Sequence, residues 1–214
     1  MEFPHLMRLI MDCQIDTIYH EHFSYFSFGT AERVFAAHGL TVFDVEELLT
    51  HGGSLRVYAR HSESTFPPVG PRVQDMRIRE AAVGLDRLDF YLDFQERVND
   101  TKRKILTFLI DAKRAGKRIV AYGAPAKANT LLNFCGIRSD FIDCTVDRSP
   151  HKQHRFLPGT HIAIHDPERI KELQPDYLLI LPWNLKDEII EQMSFIRSWG
   201  GRFVVPIPEP QVIA

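Results

Sequence analysis

The chain has 214 residues, of which 44% are hydrophobic and 25% charged, and its formal net charge is −2. This is an ordinary globular composition, and the absence of a basic bias argues against a nucleic-acid partner. No apolar run approaches the roughly 18 residues of a membrane span, and the amino terminus shows no signal-peptide cleavage site. Three scattered cysteines without CxxC spacing favour a reduced, cytoplasmic protein.

The first part of the chain is predicted to form a helix, a loop, a second helix and two strands. Residues 4–11 have a helical pattern, and Thr30 is predicted to cap the second helix. Residues 40–48 and 54–61 alternate apolar and polar side chains on either side of a glycine turn. Two such runs so close in sequence predict an antiparallel pair of strands.

The second part begins with a proline-rich segment, residues 64–74, which is predicted to be a linker. Residues 75–115 carry apolar side chains at helical spacing and are predicted to form one long helix. From there strands alternate with helices, and the strongest predicted strands are 118–124, 141–149, 176–183 and 202–207. This alternation predicts an α/β fold with a Rossmann-like, mostly parallel sheet.

The turn YGAPAKANT follows the first of these strands. Gly123 lets the backbone bend into the helix predicted over 125–136, whose free amide groups and macrodipole favour an anion. Lys127, Asn129 and Thr130 fall in its first turn and add side-chain donors. The spacing is neither GxGxxG nor a P-loop, so it predicts a nucleotide or sugar-nucleotide site without specifying the ligand.

Asp147 stands at the end of the next predicted strand, where dinucleotide-binding folds hold a ribose hydroxyl. Arg148 and Lys152 begin a basic loop that is able to close over a diphosphate. The alternative interpretation is a tight strand–helix turn with a surface lysine and a solvated basic loop. Trp183, at the end of the strand predicted at 176–183, is placed either to stack on a base or sugar or to pack at the strand end.

The segment IYHEHFSYFS, residues 18–27, concentrates proton-carrying side chains. In an extended segment His20 and His22 share one face, which makes a metal clip possible, but no third ligand is signalled. The other interpretations are loop side chains that satisfy backbone groups, and an acid–base centre. His51 is either structural or lines the same cleft, and Arg56 either faces the site or is solvated.

Several segments carry a resemblance to a known family: YHEHFSYFS, THGGSLRVYA, YGAPAKANTLLNFCGI, VDRSPHKQ, FLPGTHI, LILPWNLKDEI and GGRFVVPIP. In this order they resemble the nucleotide-sugar C-methyltransferases, which include S-adenosylmethionine-dependent enzymes that methylate deoxysugars. Members have a zinc-binding region, a methyltransferase domain and a carboxy-terminal Rossmann-like domain. The resemblance implies the end of a class I methyltransferase domain (residues 1–65), a linker and long helix (66–115), and a nucleotide-sugar-binding domain (116–214).

The resemblance also assigns roles to the YHEH segment. His22 matches the general base that removes a proton beside the ketone of the sugar, and neutral histidine is available near neutral pH. Glu21 and Tyr19 match residues that hold the substrate or steady the enolate oxygen, a role that suits a phenol. His20 alternates with them and is expected to face away.

The resemblance therefore implies the substrate-binding and base-carrying part of an enzyme that acts on a nucleotide-diphosphate keto-deoxysugar of the dTDP type. The zinc cysteines and the glycine-rich S-adenosylmethionine loop of the family are absent from this sequence. We therefore expect no methyl transfer without an upstream or separate cofactor domain. Two alternatives stay open: a sugar-nucleotide-binding module without chemistry, and a nicotinamide-dependent oxidoreductase, against which the missing GxGxxG weighs.

Overall fold

A computed structural model describes residues 1–214, which fold into two compact units. Met1–Gln14 and His20–Arg97 form the first unit, and Ile15–Tyr19 and Val98–Ala214 form the second. The chain therefore passes between the units at three places, of which the last lies inside a helix.

The first unit contains a small antiparallel sheet. Its strands are β1 (Glu2–Pro4), β2 (Leu40–Leu48) and β3 (Ser54–His61), in the order β1-β3-β2. Val45 of β2 pairs with Val57 of β3, and both are buried together with Val42 and Leu55. The predicted antiparallel pair is confirmed, whereas β1 was not predicted, and the first helix begins after it.

Four helices lie within the first unit: α1 (Leu6–Met11), α2 (Phe28–Ala37), α3 (Pro71–Val83) and α4 (Asp89–Leu92). The predicted cap of α2 was wrong. Ser27 is the N-cap, and its hydroxyl oxygen accepts a hydrogen bond from the amide of Thr30 at 3.0 Å. Thr30 therefore sits one turn into the helix, at the position whose amide a serine cap satisfies.

The single long helix predicted for residues 75–115 was also wrong. Gly84 ends α3 with a left-handed φ of 85°, and α5 (Phe94–Arg114) begins only after the short α4. At the other end, α3 begins at Pro71, inside the predicted linker, because proline fits the first turn of a helix. The α5 helix starts in the first unit and continues into the second.

The second unit is built on a six-stranded sheet of β4 (Ile119–Tyr122), β5 (Thr145–Val146), β6 (Ile164–His165), β7 (Tyr177–Ile180), β8 (Arg202–Val205) and β9 (Gln211–Ile213). The order is β6-β5-β4-β7-β8-β9, and every pair is parallel except β8 with β9. Strand order therefore reverses between β4 and β7. The predicted α/β class and Rossmann-like, mostly parallel sheet are confirmed, and β9 is an antiparallel addition that was not predicted.

Helices cover both faces of this sheet, as a parallel sheet requires. They are α5, α6 (Ala126–Cys135), α7 (Arg169–Leu173) and α8 (Lys186–Gln192). Along β4, Ile119 and Ala121 enter the core that contains α5 and α6, whereas Val120 and Tyr122 enter the core that contains α7 and α8. Tyr122 is thus the last side chain of β4 on the α8 face.

None of the helices combines the length and the apolarity needed to cross a bilayer. No group of three or more histidine, cysteine, aspartate or glutamate side chains is placed to hold a metal ion. All three cysteines are free and buried. Burial raises the pKa of Cys135 and of Cys144 to about 11, so both thiols stay protonated at neutral pH.

Candidate functional site

A cavity of about 220 Å³ lies at the carboxyl ends of β4, β5 and β7. Strand order reverses here, and open α/β sheets bind their ligands at such points. Four of the predicted binding residues line the cavity: Gly123, Asp147, Arg148 and Lys152. The remaining walls come from the same strand ends and from α8: Tyr122, Pro125, Pro182, Leu185, Glu188, Ile189 and Gln192.

Asp147 is fixed by backbone amides. Its Oδ2 accepts a hydrogen bond from the amide of Ala124 at 2.7 Å, and its Oδ1 accepts one from the amide of Ser149 at 2.8 Å. The Nζ atom of Lys152 lies 3.4 Å from Oδ2. The carboxylate therefore ties the turn after β4 to the turn after β5, and its oxygens retain lone pairs that a ligand hydroxyl is able to use.

Arg148 and Lys152 bring two cations to the solvent side of the cavity. Their side chains are 65% and 43% exposed. The Nη1 atom of Arg148 is 3.5 Å from Oε1 of Glu188 and 3.3 Å from Oε1 of Gln192. The contacts of Arg148 are exposed and therefore weak, so this cation is able to turn toward an anionic group without breaking a buried pair. Lys152 instead reaches the largely buried carboxylate of Asp147.

Gly123 has a left-handed φ of 89° in the turn between β4 and α6. A Cβ atom at this position would lie 2.6 Å from Cδ of Pro182, so only glycine fits. Pro182 thus fills the space over the glycine, where a glycine-rich loop admits a cofactor phosphate. The cations of Arg148 and Lys152 are therefore the groups best placed to meet a phosphate here.

Lys127 does not line this cavity. It is buried, and its Nζ donates to Oδ1 of Asn184 at 2.6 Å and lies 4.4 Å from the centre of the Trp183 ring. The Nε1 atom of Trp183 donates to Oδ2 of Asp16 at 2.7 Å. We call these four residues the Lys127 cluster. Burial lowers the pKa of Lys127, and the negative charge of Asp16 opposes that shift.

Asp16 is the member of the Lys127 cluster that the sequence did not reveal. Burial raises the pKa of its carboxyl to about 6, although the Trp183 hydrogen bond and the Lys127 charge lower it. Its Oδ1 is buried without a hydrogen-bond partner. Asn129 and Thr130 follow Lys127 on α6 and, like it, do not line the cavity. Oδ1 of Asn129 is also buried without a hydrogen-bond partner.

The YHEH segment is not extended. Residues 19–21 form a bend and a turn, whereas the metal-clip interpretation assumed an extended segment. The side chains of His20 and Glu21 are 83% and 68% exposed. Tyr19, which is half-buried, ends the piece of chain that belongs to the second unit, and Glu21 lies in the first.

His22 is half-buried in the first unit, in contrast to its exposed neighbours. Its ring lies edge-on to two others, with centroids 6.5 Å from Tyr25 and 6.2 Å from His51. His51 therefore stands beside His22, whereas Arg56 pairs with Glu2 at 2.9 Å. An oriented imidazole that still contacts solvent suits proton transfer.

Comparison with known proteins places the chain in a family. Residues 49–208 match the family described as "C-methyltransferase C-terminal domain". The chain is also 39% identical, over all 214 residues, to C-methyltransferase NovU of Streptomyces niveus, and it spans 51% of that protein. It thus spans about half the length of the curated relative that it matches. The match confirms the resemblance seen in the sequence: the chain belongs to the family of C-methyltransferase carboxy-terminal domains.

Proposed function

We propose that this chain is the substrate-binding and proton-abstracting part of a C-methyltransferase that acts on a nucleotide-diphosphate keto-deoxysugar of the dTDP type. The observation that carries the proposal is the cavity where strand order reverses, with Arg148 and Lys152 beside the fixed carboxylate of Asp147. Two cations suit a diphosphate, and a carboxylate at a strand end suits a ribose hydroxyl. The family membership supports the reaction type.

His22 is the base in this proposal. The neutral imidazole of His22 takes a proton from the carbon next to the substrate ketone; the C–H electron pair forms a carbon–carbon double bond, and the carbonyl π pair moves onto the oxygen. Tyr19 and Glu21 are the residues proposed to hold the substrate and steady that oxygen, for which a phenol O–H is a suitable donor. The product of this step is an enolate whose carbon is the nucleophile for methylation.

S-adenosylmethionine is the methyl donor that the family relationship implies, and it would supply an electrophilic methyl group. The residues of this chain do not fit it. Pro182 fills the space over Gly123, and no glycine-rich loop follows the other parallel strands. We place the donor site outside these residues and derive no step at the donor.

The proton step is testable without a methyl donor, because an enzyme-bound enolate exchanges its proton with solvent. We expect the chain to accelerate deuterium incorporation beside the ketone of dTDP-4-keto-6-deoxyglucose in D₂O, followed by proton NMR. His22→Ala should slow this exchange by about 10²-fold or more, the usual contribution of a general base. His20→Ala is the matched control, because its exposed side chain lies two residues away and has no proposed role.

Each outcome decides between the functions. Equal exchange rates in the His22→Ala and His20→Ala variants would show that His22 is not the base. Binding of dTDP by calorimetry, without any exchange, would indicate a sugar-nucleotide-binding module instead. Absence of dTDP binding would contradict both, and NADH binding in its place would support the oxidoreductase alternative.

A further inference from the structure

Tyr122 is the only lining residue of the cavity whose polar atom is buried and unpartnered. The residue is 5% exposed, and its hydroxyl meets no hydrogen-bond partner in the protein. Buried tyrosine hydroxyls normally have a partner, because leaving one unpaired loses the free energy of a hydrogen bond. At the end of β4, beside the cavity, this hydroxyl is placed to find its partner on a ligand.

The size of the cavity limits what it is able to enclose. Its volume of about 220 Å³ is below the roughly 300–1,000 Å³ of pockets that enclose a whole drug-sized ligand. A nucleotide-sugar is larger still, so only one end of such a ligand enters. The cavity must therefore discriminate between the sugar end and the base end.

The walls favour the base end. Pro125, Pro182, Leu185 and Ile189 present apolar surface that suits the faces of a planar ring better than the hydroxyls of a sugar. The cations of Arg148 and Lys152 are instead the more exposed part of the lining. This division matches a nucleoside diphosphate whose base points inward and whose phosphates point toward solvent.

We propose that the cavity holds the nucleobase, and that the Tyr122 hydroxyl hydrogen-bonds to a polar atom on the edge of that base. The assignment rests on the proposed function, because it orients the nucleotide of the same substrate. Tyr122 becomes a residue that determines nucleotide affinity, whereas Arg148 and Lys152 bind the phosphates. Adenine nucleotides are the competing occupants, since their rings also suit an apolar slot.

The test separates the two ends of the ligand by calorimetry on the full chain, with dTDP, thymidine, ADP and inorganic pyrophosphate as probes. Tyr122→Phe should weaken dTDP and thymidine binding by about 5–30-fold and leave pyrophosphate unchanged, because it removes one hydrogen bond. Arg148→Ala should weaken dTDP and pyrophosphate but not thymidine. Tyr177→Phe is the matched control, since Tyr177 lies at the opposite end of the neighbouring strand.

A second variant covers the case in which Tyr122→Phe does not fold. Leu185 is 48% exposed, so Leu185→Trp should fill the cavity from its open side without disturbing the core. It should abolish thymidine binding and spare pyrophosphate. Normal dTDP binding by folded Tyr122→Phe, or thymidine binding by Leu185→Trp, overturns the assignment and leaves the proposed function standing. Tighter binding of ADP than of dTDP by the wild-type chain, if it is lost in Tyr122→Phe, also overturns the assignment. If the wild-type chain does not bind dTDP at all, the proposed function itself is overturned.

Discussion

Glu80 in the first unit and Asp16 in the second are both buried carboxylates, yet their pKa values shift in opposite directions. Oε1 of Glu80 accepts a hydrogen bond from the amide of Phe28 at 2.6 Å and lies 2.7 Å from Nε2 of His5, while Oε2 accepts one from the amide of Gly29 at 2.9 Å. Burial by itself raises the pKa of Glu80, but these partners outweigh burial and hold the pKa below its usual value.

Asp16 is more deeply buried than Glu80. Trp183 donates to Oδ2, and Oδ1 has no partner. Burial therefore dominates and the pKa rises to about 6. The same physical cause acts on both carboxylates, and the balance between burial and the surrounding hydrogen bonds and charges decides which way each pKa moves.

The difference indicates which buried polar groups hold the fold. Glu80 satisfies free amides at the start of α2 and joins α3 to His5, so it stabilises the first unit. The Lys127 cluster contains a carboxylate that is costly to ionise and an oxygen without a partner. Buried polar groups that destabilise a core are expected mainly at functional sites, which supports a functional role for the Lys127 cluster.

Removal of Glu80 should give the largest effect. Glu80→Ala leaves two amides and the His5 ring without their acceptor, and we expect the first unit to lose about 3–5 kcal/mol of unfolding free energy. Hydrogen exchange of the α2 amides measures this loss in the first unit. Glu47→Ala, which removes exposed ion pairs, is the control and should cost about 1 kcal/mol or less. Equal losses of unfolding free energy in Glu80→Ala and Glu47→Ala would show that the buried contacts of Glu80 are no stronger than exposed ion pairs.

The pH dependence of Glu80 follows from its lowered pKa. Its stabilising contribution is present above its unfolded pKa, near 4.5, and is lost as the pH falls through the folded pKa. The α2 amides should therefore lose protection on acidification below that range in the wild-type chain, and less so in Glu80→Gln.

Asp16→Asn should act in the opposite sense. The folded pKa of Asp16 lies above its unfolded value of 3.8, so its favourable contribution is complete below that value and is lost as the pH rises through about 6. Asparagine keeps an acceptor for Trp183 and stays neutral. We expect the variant to match the wild type near pH 4 and to be more stable by up to about 3 kcal/mol at pH 7. Urea unfolding, followed by tryptophan fluorescence, checks this, and a pH-independent difference would contradict it.

Gly123→Ala tests how rigidly the cavity of the second unit is built. Gly123 and Gly136 both have a left-handed φ, but a Cβ atom at Gly123 collides with Pro182, whereas one at Gly136 meets nothing within 4 Å. We expect Gly136→Ala to cost about 1 kcal/mol and Gly123→Ala to cost about 1–3 kcal/mol more. Equal unfolding free energies for the two variants would mean that Pro182 moves away from the added methyl group at little cost.

Ser27→Ala should have the smallest effect, about 1 kcal/mol, because it removes one N-cap hydrogen bond from α2. Thr30→Ala is its partner in the test, since the sequence favoured Thr30 as the cap. Hydrogen exchange at the start of α2 compares the two variants. A larger loss of amide protection in Thr30→Ala than in Ser27→Ala would support Thr30 as the cap of α2, as the sequence predicted.

The second unit was predictable because its strands are apolar runs joined by helices, and strand ends share one edge of a parallel sheet. Gly123, Asp147, Arg148 and Lys152 follow β4 and β5, so their meeting at one cavity follows from topology. Strand length was less predictable: only Thr145–Val146 of the run predicted at 141–149 pairs as a strand.

The Lys127 cluster and the helix breaks were not predictable by the same reasoning. Trp183 and Asp16 lie 167 positions apart, and no local pattern encodes their hydrogen bond. Lys127 has the spacing of a phosphate ligand, but packing of Trp183 against the start of α6 buries it. In the predicted long helix, a continuous apolar pattern concealed the stop at Gly84, because an isolated glycine is also tolerated inside a helical pattern.

The indole of Trp183 lies between charges of opposite sign, with Lys127 over its ring and Asp16 at its Nε1 atom. An indole excited state has a larger dipole than the ground state, so its emission colour follows the local electric field. When Asp16 takes up a proton near pH 6, the negative side of that field disappears. Trp199→Phe would leave Trp183 as the only tryptophan. We therefore expect the emission of Trp183 in that variant to shift near pH 6 and so to follow the charge of a single buried carboxyl without any added label.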